Sequence, residues 1–303
     1  MSKADLAVVL ALCAALASAI GDVIRQRSAH EITDKQVGHL ELFWLSVRDT
    51  RWWLGAVGAV ANYSLQAAAL ALGSVILVTA LQVTSLLFAL PIYARLAHHR
   101  ITRREWMWAV LLAAALAALV TVGDPDAGNS RGSLEAWMVV AVVMGPVLVL
   151  CVLGARLWSG GPAAPVLLAV VAGSSLALFA VLTKGAVGAA SGGFGAFLRA
   201  PESYGLIPAA LAGMIFQQSA FRAGALTASL PTVTVAKPMV ASLLGVLVLA
   251  ETLNTDGPKV FTLIAAAVLV IVATIALARG EAATIAAGAG RDVVVVDKTP
   301  SKR

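Results

Sequence analysis

Charged side chains are scarce in this chain: Asp, Glu, Lys and Arg make up 13% of its 303 residues, about half the share usual in soluble domains. There are two cysteines, Cys13 and Cys151, far apart and without metal-ligand spacing. That excludes a disulfide framework or a thiolate metal site and reads as two small core residues. No nucleophile elbow, phosphate-binding loop or metal motif occurs. The acidic residues between the apolar segments, Asp124, Asp126, Glu202 and Asp256, are scattered, which disfavours a lipid-modifying enzyme. No connection between apolar segments exceeds about 30 residues, too short to hold a soluble domain.

Apolar residues fill the space, at 60% of the chain. A bilayer-spanning helix needs roughly 20 mainly apolar residues, and nine segments qualify: 5–24, 52–72, 75–96, 105–122, 134–155, 163–183, 204–222, 227–249 and 258–278. The expectation is an all-α polytopic membrane protein with a single transmembrane domain over residues 1–280. Residues 281–303 read as a disordered cytoplasmic tail. The first segment lacks a small-x-small cleavage site and reads as a retained helix. "V-G-H-L-E-L-F-W-L-S-V", in the connection 25–51, is broken by His39 and Glu41 and reads as an interfacial helix, with a tenth membrane segment at 37–51 as the alternative.

The net charge of +6 is explained by topology and not by nucleic acid. Taking connections alternately, 16 of the 22 Lys and Arg residues fall on one side, five fall on the other, and Lys237 belongs to neither. Because Lys and Arg favour cytoplasmic loops, the chain is expected in the plasma (cytoplasmic) membrane with the N-terminus outside and the C-terminus in the cytoplasm. Trp52, Trp53, Trp106, Trp108, Trp137 and Trp158 fall at segment ends, as interfacial rings do.

A repeat is faintly visible. The second and third segments are joined by "L-G-S", the seventh and eighth by "R-A-G-A-L-T", and Val78-Thr79 corresponds to Val233-Thr234 at an offset of 155 residues. Five segments separate the two groups, so they run in opposite directions, the arrangement of secondary transporters whose substrate site lies at the repeat interface near the midplane.

The deepest ionisable group is Lys237, in "T-V-T-V-A-K-P-M-V". A charge at that depth costs about 2.5 kcal/mol or more and points to function. Pro238 predicts a helix break at Lys237 beside a cavity; the alternative is snorkelling, or pairing with Asp22 or Glu251. Neutral polar residues gather on the same elements: Asn62 and Gln66 on one face of the second segment, Thr79 and Gln82 in the third, and Gln217 and Gln218 in the seventh. The repeat sets Gln82 opposite Lys237. Each amide singly reads as an interhelical hydrogen bond, and together they read as a substrate site. Asp22, Lys184 and Arg222 are candidates for coupling or gating, with a local charge pair or snorkelling as the plain alternatives. His98-His99, in a basic loop, is no metal site on its own.

Residues 52–85, "W-W-L-G-A-V-G-A-V-A-N-Y-S-L-Q-A-A-A-L-A-L-G-S-V-I-L-V-T-A-L-Q-V-T-S", resemble the drug/metabolite transporter superfamily, and within it the NIPA-type magnesium transporters. "V-L-T-K-G" at 181–185 and "F-Q-Q-S-A-F-R-A-G-A-L" at 216–226 extend the likeness, which covers most of residues 5–280. The resemblance implies an EamA-like fold and alternating access, and its nearest branch implies Mg²⁺. Two positions depart from that branch: Ala59 where a glutamate often stands, and Ala80 where a proline does. Since Mg²⁺ wants carboxylate oxygens and a deep lysine repels a dication, the expected substrate is a small organic solute or lipid-linked metabolite with an anionic group. A Mg²⁺ transporter is the alternative, and a non-transporting subunit or lipid-modifying enzyme the second. No cofactor is expected; the partners are substrate and membrane lipid, with a homodimer left open.

Overall fold

The computed structural model describes residues 3–32, 50–96, 102–123, 125–159, 161, 163–223, 226–253, 257 and 259–297. Among them the chain is helical without strands. The helices are α1 (Lys3–Ile32), α2 (Thr50–Leu72), α3 (Val75–Gln82), α4 (Ser85–Leu96), α5 (Arg103–Gly123) and α6 (Leu134–Leu157). They continue as α7 (Ala163–Ala190), α8 (Phe194–Arg199), α9 (Pro201–Ala223), α10 (Leu226–Leu249) and α11 (Lys259–Asp297). Among the described residues six stretches are long and apolar enough to cross a membrane: Lys3–Gly21, Arg103–Gly123, Leu134–Leu157, Ala163–Ala190, Thr232–Leu249 and Lys259–Leu277. The chain is an all-α, multi-pass membrane protein.

Local chemistry sets the ends. Ser74 caps α3, its hydroxyl accepting from the Leu77 amide at 3.0 Å, and Ser133 does the same for α6 through Ala136 at 3.1 Å. At α5 a reciprocal box forms. The Thr102 amide donates to Glu105 Oε2 at 2.6 Å and the Glu105 amide to Thr102 Oγ1 at 3.2 Å, so two otherwise orphaned donors are satisfied together.

Three features differ from the sequence expectation. The helix around Lys237 is unbroken, because α10 runs from Leu226 through Pro238 to Leu249; one missing amide is tolerated where neighbouring helices re-satisfy the backbone. The interruption falls on the facing helix. The amides of Val83 and Thr84 bond three residues back, to Ala80 and Leu81, and this tightened turn separates α3 from α4. Finally, α11 is continuous to Asp297, so the helix extends into residues expected as a tail without fixed structure. Residues 37–49, where a further segment was considered, lie outside the described residues.

α7 is the central strut. Two thirds of its membrane-length window, 67%, is buried, against 11% for α6 at the periphery. α9 and α10 pack along α7, α1 along α2, and α5 along α11. The main core joins Ala11 of α1, Leu70 of α2, Val78 and Leu81 of α3, Val181 of α7 and Leu244 of α10. Cys13 is exposed and Cys151 half-exposed, both as thiols, so neither is the core residue expected.

Without a hydrophobic drive between helices in lipid, close approach of small residues holds such a bundle together. A Cβ on Gly173 would lie 2.7 Å from Ala236 Cβ and 3.1 Å from the Lys237 amide nitrogen, so α7 and α10 meet nearly backbone to backbone. Gly173→Leu is expected to separate them at a cost of about 1–3 kcal/mol, seen as a lower melting temperature of the purified protein in detergent. An unchanged melting temperature would show that this contact is dispensable.

Candidate functional site

Two polar assemblies occupy the bundle, one at its end and one at its middle. The end is the one that gathers Ala7 of α1 against Gly73, Ser130 against Gly188 of α7, and Gly128 against Leu249 of α10.

There Glu251 is fully buried and Lys184 is 5% exposed. Their ion pair spans 2.6 Å, Lys184 Nζ to Glu251 Oε1. The same carboxylate accepts from the Val75 amide at 2.6 Å and the Ile76 amide at 3.0 Å, the first two amides of α3, which no helical carbonyl can reach. Lys184 also donates to the Ala127 carbonyl. The carboxylate therefore joins the end of α10, the start of α3 and α7, and Lys184 extends the link to the 125–133 connection. The geometry that delivers it is local. Ala250 adopts φ +52°, which ends α10, and the Glu251 amide turns back to the Gly245 carbonyl at 3.1 Å. A Cβ at 245 would stand 2.7 Å from Glu251 Oε2 and displace the carboxylate.

Beside this lies a second pair. Buried Glu202 takes a forked contact from Arg131, Nε at 3.3 Å and Nη2 at 2.9 Å. Hydrogen bonding by Glu202, and then its charge, raise the Arg131 guanidinium above its ordinary value.

At the middle, Lys237 Nζ donates to Gln82 Oε1 at 3.3 Å. Gln82 Nε2 donates to Asn62 Oδ1 at 3.1 Å. Gln82 and Asn62 are buried, so a hydrogen-bonded chain crosses α10, α3 and α2 beside the interruption at 83–84. Gln82 and Lys237 are 155 residues apart, the offset of the repeat. Thr79, 1% exposed, turns its hydroxyl to the Val75 carbonyl at 2.6 Å. Gln66 is 1% exposed, and neither Nε2 nor Oε1 of its amide has a partner.

The remaining expectations divide. Gln217 is half-buried and Gln218 is exposed, and neither enters the described hydrogen-bonded chain. The side chains of Asp22 and Arg222 lie outside the described residues. Glu251 pairs with Lys184 and not with Lys237, because it sits 14 residues beyond Lys237, about 20 Å of helix at 1.5 Å per residue. Lys184 is buried instead of snorkelling. The role of Glu251 as the cap of α3 was missed; its signal is a carboxylate two residues past a helix end, facing a helix start that has only a serine cap. Among the described residues no group of three or more His, Cys, Asp or Glu side chains comes together.

Comparison with known proteins places the chain in a family. It belongs with an uncharacterized protein of Corynebacterium glutamicum, to which it is 36% identical over 290 residues, covering 94% of this chain and 98% of that one. No family model matches the chain, and no solved structure matches it.

Removing one partner of a buried ion pair leaves the other charge unpaired, at about 3–5 kcal/mol. Lys184→Met is expected to lower the melting temperature sharply, and Lys184→Met with Glu251→Gln to recover part of the loss. A double variant as unstable as the sum of the single ones would show that the two residues act independently.

Proposed function

We propose that this protein is a secondary transporter of drug/metabolite type, moving a small organic solute or lipid-linked metabolite with an anionic group across the plasma membrane by alternating access. In this reading α1, α2, α3 with α4, α5, α6, α7, α9, α10 and α11 each cross the membrane. The trio from α2 is inverted relative to the trio from α9, the N-terminus is outside and the C-terminus is cytoplasmic.

The observation that carries the reading is the Lys237–Gln82–Asn62 chain. A cation and two carboxamides, each able both to donate and to accept, are held inside an apolar bundle at a helix interruption. Interrupted helices at mid-membrane are where transporters bind their substrates, and polar groups at that depth are expensive unless they line a pathway or pair. The correspondence of Gln82 with Lys237 across the repeat supports a site at the interface of two halves. Asp22, Lys184 and Arg222 are assigned to coupling or gating, and Gln217 and Gln218 to the wall reached in another conformation.

The resemblance to NIPA-type proteins implies Mg²⁺ in place of an anion. Against that stands the positive charge of Lys237, and Glu251, whose oxygens are already taken by Lys184 and two amides. The protein reconstituted in liposomes is expected to take up members of a panel of small organic anions and not Mg²⁺. Lys237→Met should lower kcat/KM for the anion at least tenfold, about 1.4 kcal/mol of lost transition-state binding. Uptake of Mg²⁺ alone would sink the anion reading, and a protein that moves nothing would favour an accessory subunit.

A further inference from the structure

We infer that Gln66 is a recognition element of the same site, and that the solute carries, besides its anionic group, an amide or similarly paired donor and acceptor. The inference rests on the transporter reading above and adds the second half of the substrate's chemistry.

The argument starts from hydrogen bonds that are missing. A glutamine carboxamide can donate two and accept two. Nearly all buried polar groups use that capacity, and each exception in a native structure calls for an explanation. Gln66 is 1% exposed with both polar atoms unpartnered. Among the described residues the other buried side-chain groups without a partner are single ones, the hydroxyls of Ser229 and Thr274 and the indole nitrogen of Trp137, so among them only Gln66 offers a donor and an acceptor on adjacent atoms.

Its position supplies the second observation. Asn62 and Gln66 stand four residues apart on α2, on one face, about 6 Å along the axis. Asn62 is the end of the chain from Lys237, so the polar line continues one turn past its last hydrogen bond to an amide that bonds to nothing. The Thr79 hydroxyl is committed to Val75. The line therefore begins with a cation and ends with an unsatisfied donor and acceptor. A solute that spans it presents an anion to Lys237 and a head-to-head amide to Gln66. A site built to hydrogen-bond such a group rejects the analogue that lacks it far more strongly than an apolar pocket rejects a size change.

Two probes isolate the point. N-acetylglycine carries a carboxylate and an amide; levulinate is its isostere with a methylene in place of the N–H. Uptake of each into liposomes is measured for the full-length wild type and for Gln66→Met, with Gln66→Leu as a second variant. The wild type is expected to show a KM for N-acetylglycine at least tenfold below that for levulinate. Both variants should melt at or above the wild-type temperature, because an unsatisfied buried amide is gone, and should lose the preference. A structural role for Gln66 predicts the reverse, a lower melting temperature with the preference intact. Equal KM values in the wild type, or preference retained in both variants, overturns the inference. So does a wild type that takes up other organic anions but neither probe, and then the transporter reading stands. A wild type that takes up no organic anion brings down both.

Discussion

Inside a bilayer there is no water to accept an orphaned hydrogen-bond donor, and the buried carboxylate of Glu251 is the feature through which this fold meets that constraint at one end. α3 is eight residues long, and every one of them is buried. Its first amides face neither solvent nor a helical carbonyl, so the helix exists only if something supplies acceptors. Ser74 supplies one and Glu251 supplies two. The negative charge also sits where the dipole of α3 favours it. Lys184 neutralises what remains and fastens the 125–133 connection through Ala127. α3 can then be short, and because it is short its far end falls beside Lys237.

The two polar assemblies differ in how completely they are satisfied. At the end, each oxygen of Glu251 has a partner at 3.0 Å or less, and a glycine at 245 is shaped to it. At the middle, the contacts run at 3.1 and 3.3 Å, and the amide one turn further along α2 is bonded to nothing. A fully satisfied network specifies one arrangement, while a partly satisfied one in a low dielectric carries a standing cost. Structures keep such costs where they bind something. This contrast makes Lys184 and Glu251 a fastening and supports the reading of Asn62, Gln66, Gln82 and Lys237 as the proposed site.

Much of the architecture was legible because bilayer thickness fixes helix length and because breakers sit at the boundaries. "L-G-S" before Val75 marks an end that folds as read. The pairing of Gln82 with Lys237 was legible through the repeat alone, since neither residue's neighbours name the other. The interruption at 83–84 was not, because Val83 and Thr84 are neither glycine nor proline and the apolar run continues across them. Pro238 misled in the opposite sense: its missing amide is a local fact, whereas helix continuity is decided by the packing of α7 against α10 around Gly173. Lys184 and Glu251 read separately as charges near helix ends. Their meeting depends on the φ of Ala250, which no composition signal announces.

The position of the Lys184–Glu251 pair constrains any transport cycle. A carrier that alternates its access must open each end of the bundle in turn, and at this end α3, α7 and α10 are tied together through one carboxylate. Opening it by parting α3 from α7 and α10 would expose two amides, a lysine and a carboxylate together. In lipid that is prohibitive, but in a water-filled vestibule each group is promptly hydrated. The proposed cycle therefore requires that solvent reach this end as the helices part. The centre has the complementary property. Its chain crosses both proposed halves, so a solute that replaces the contact of Gln82 with Lys237 by contacts of its own removes a tie between them. Binding and release of the tie are then one event, and a ligand with greater affinity for the parted arrangement shifts the equilibrium by just that difference.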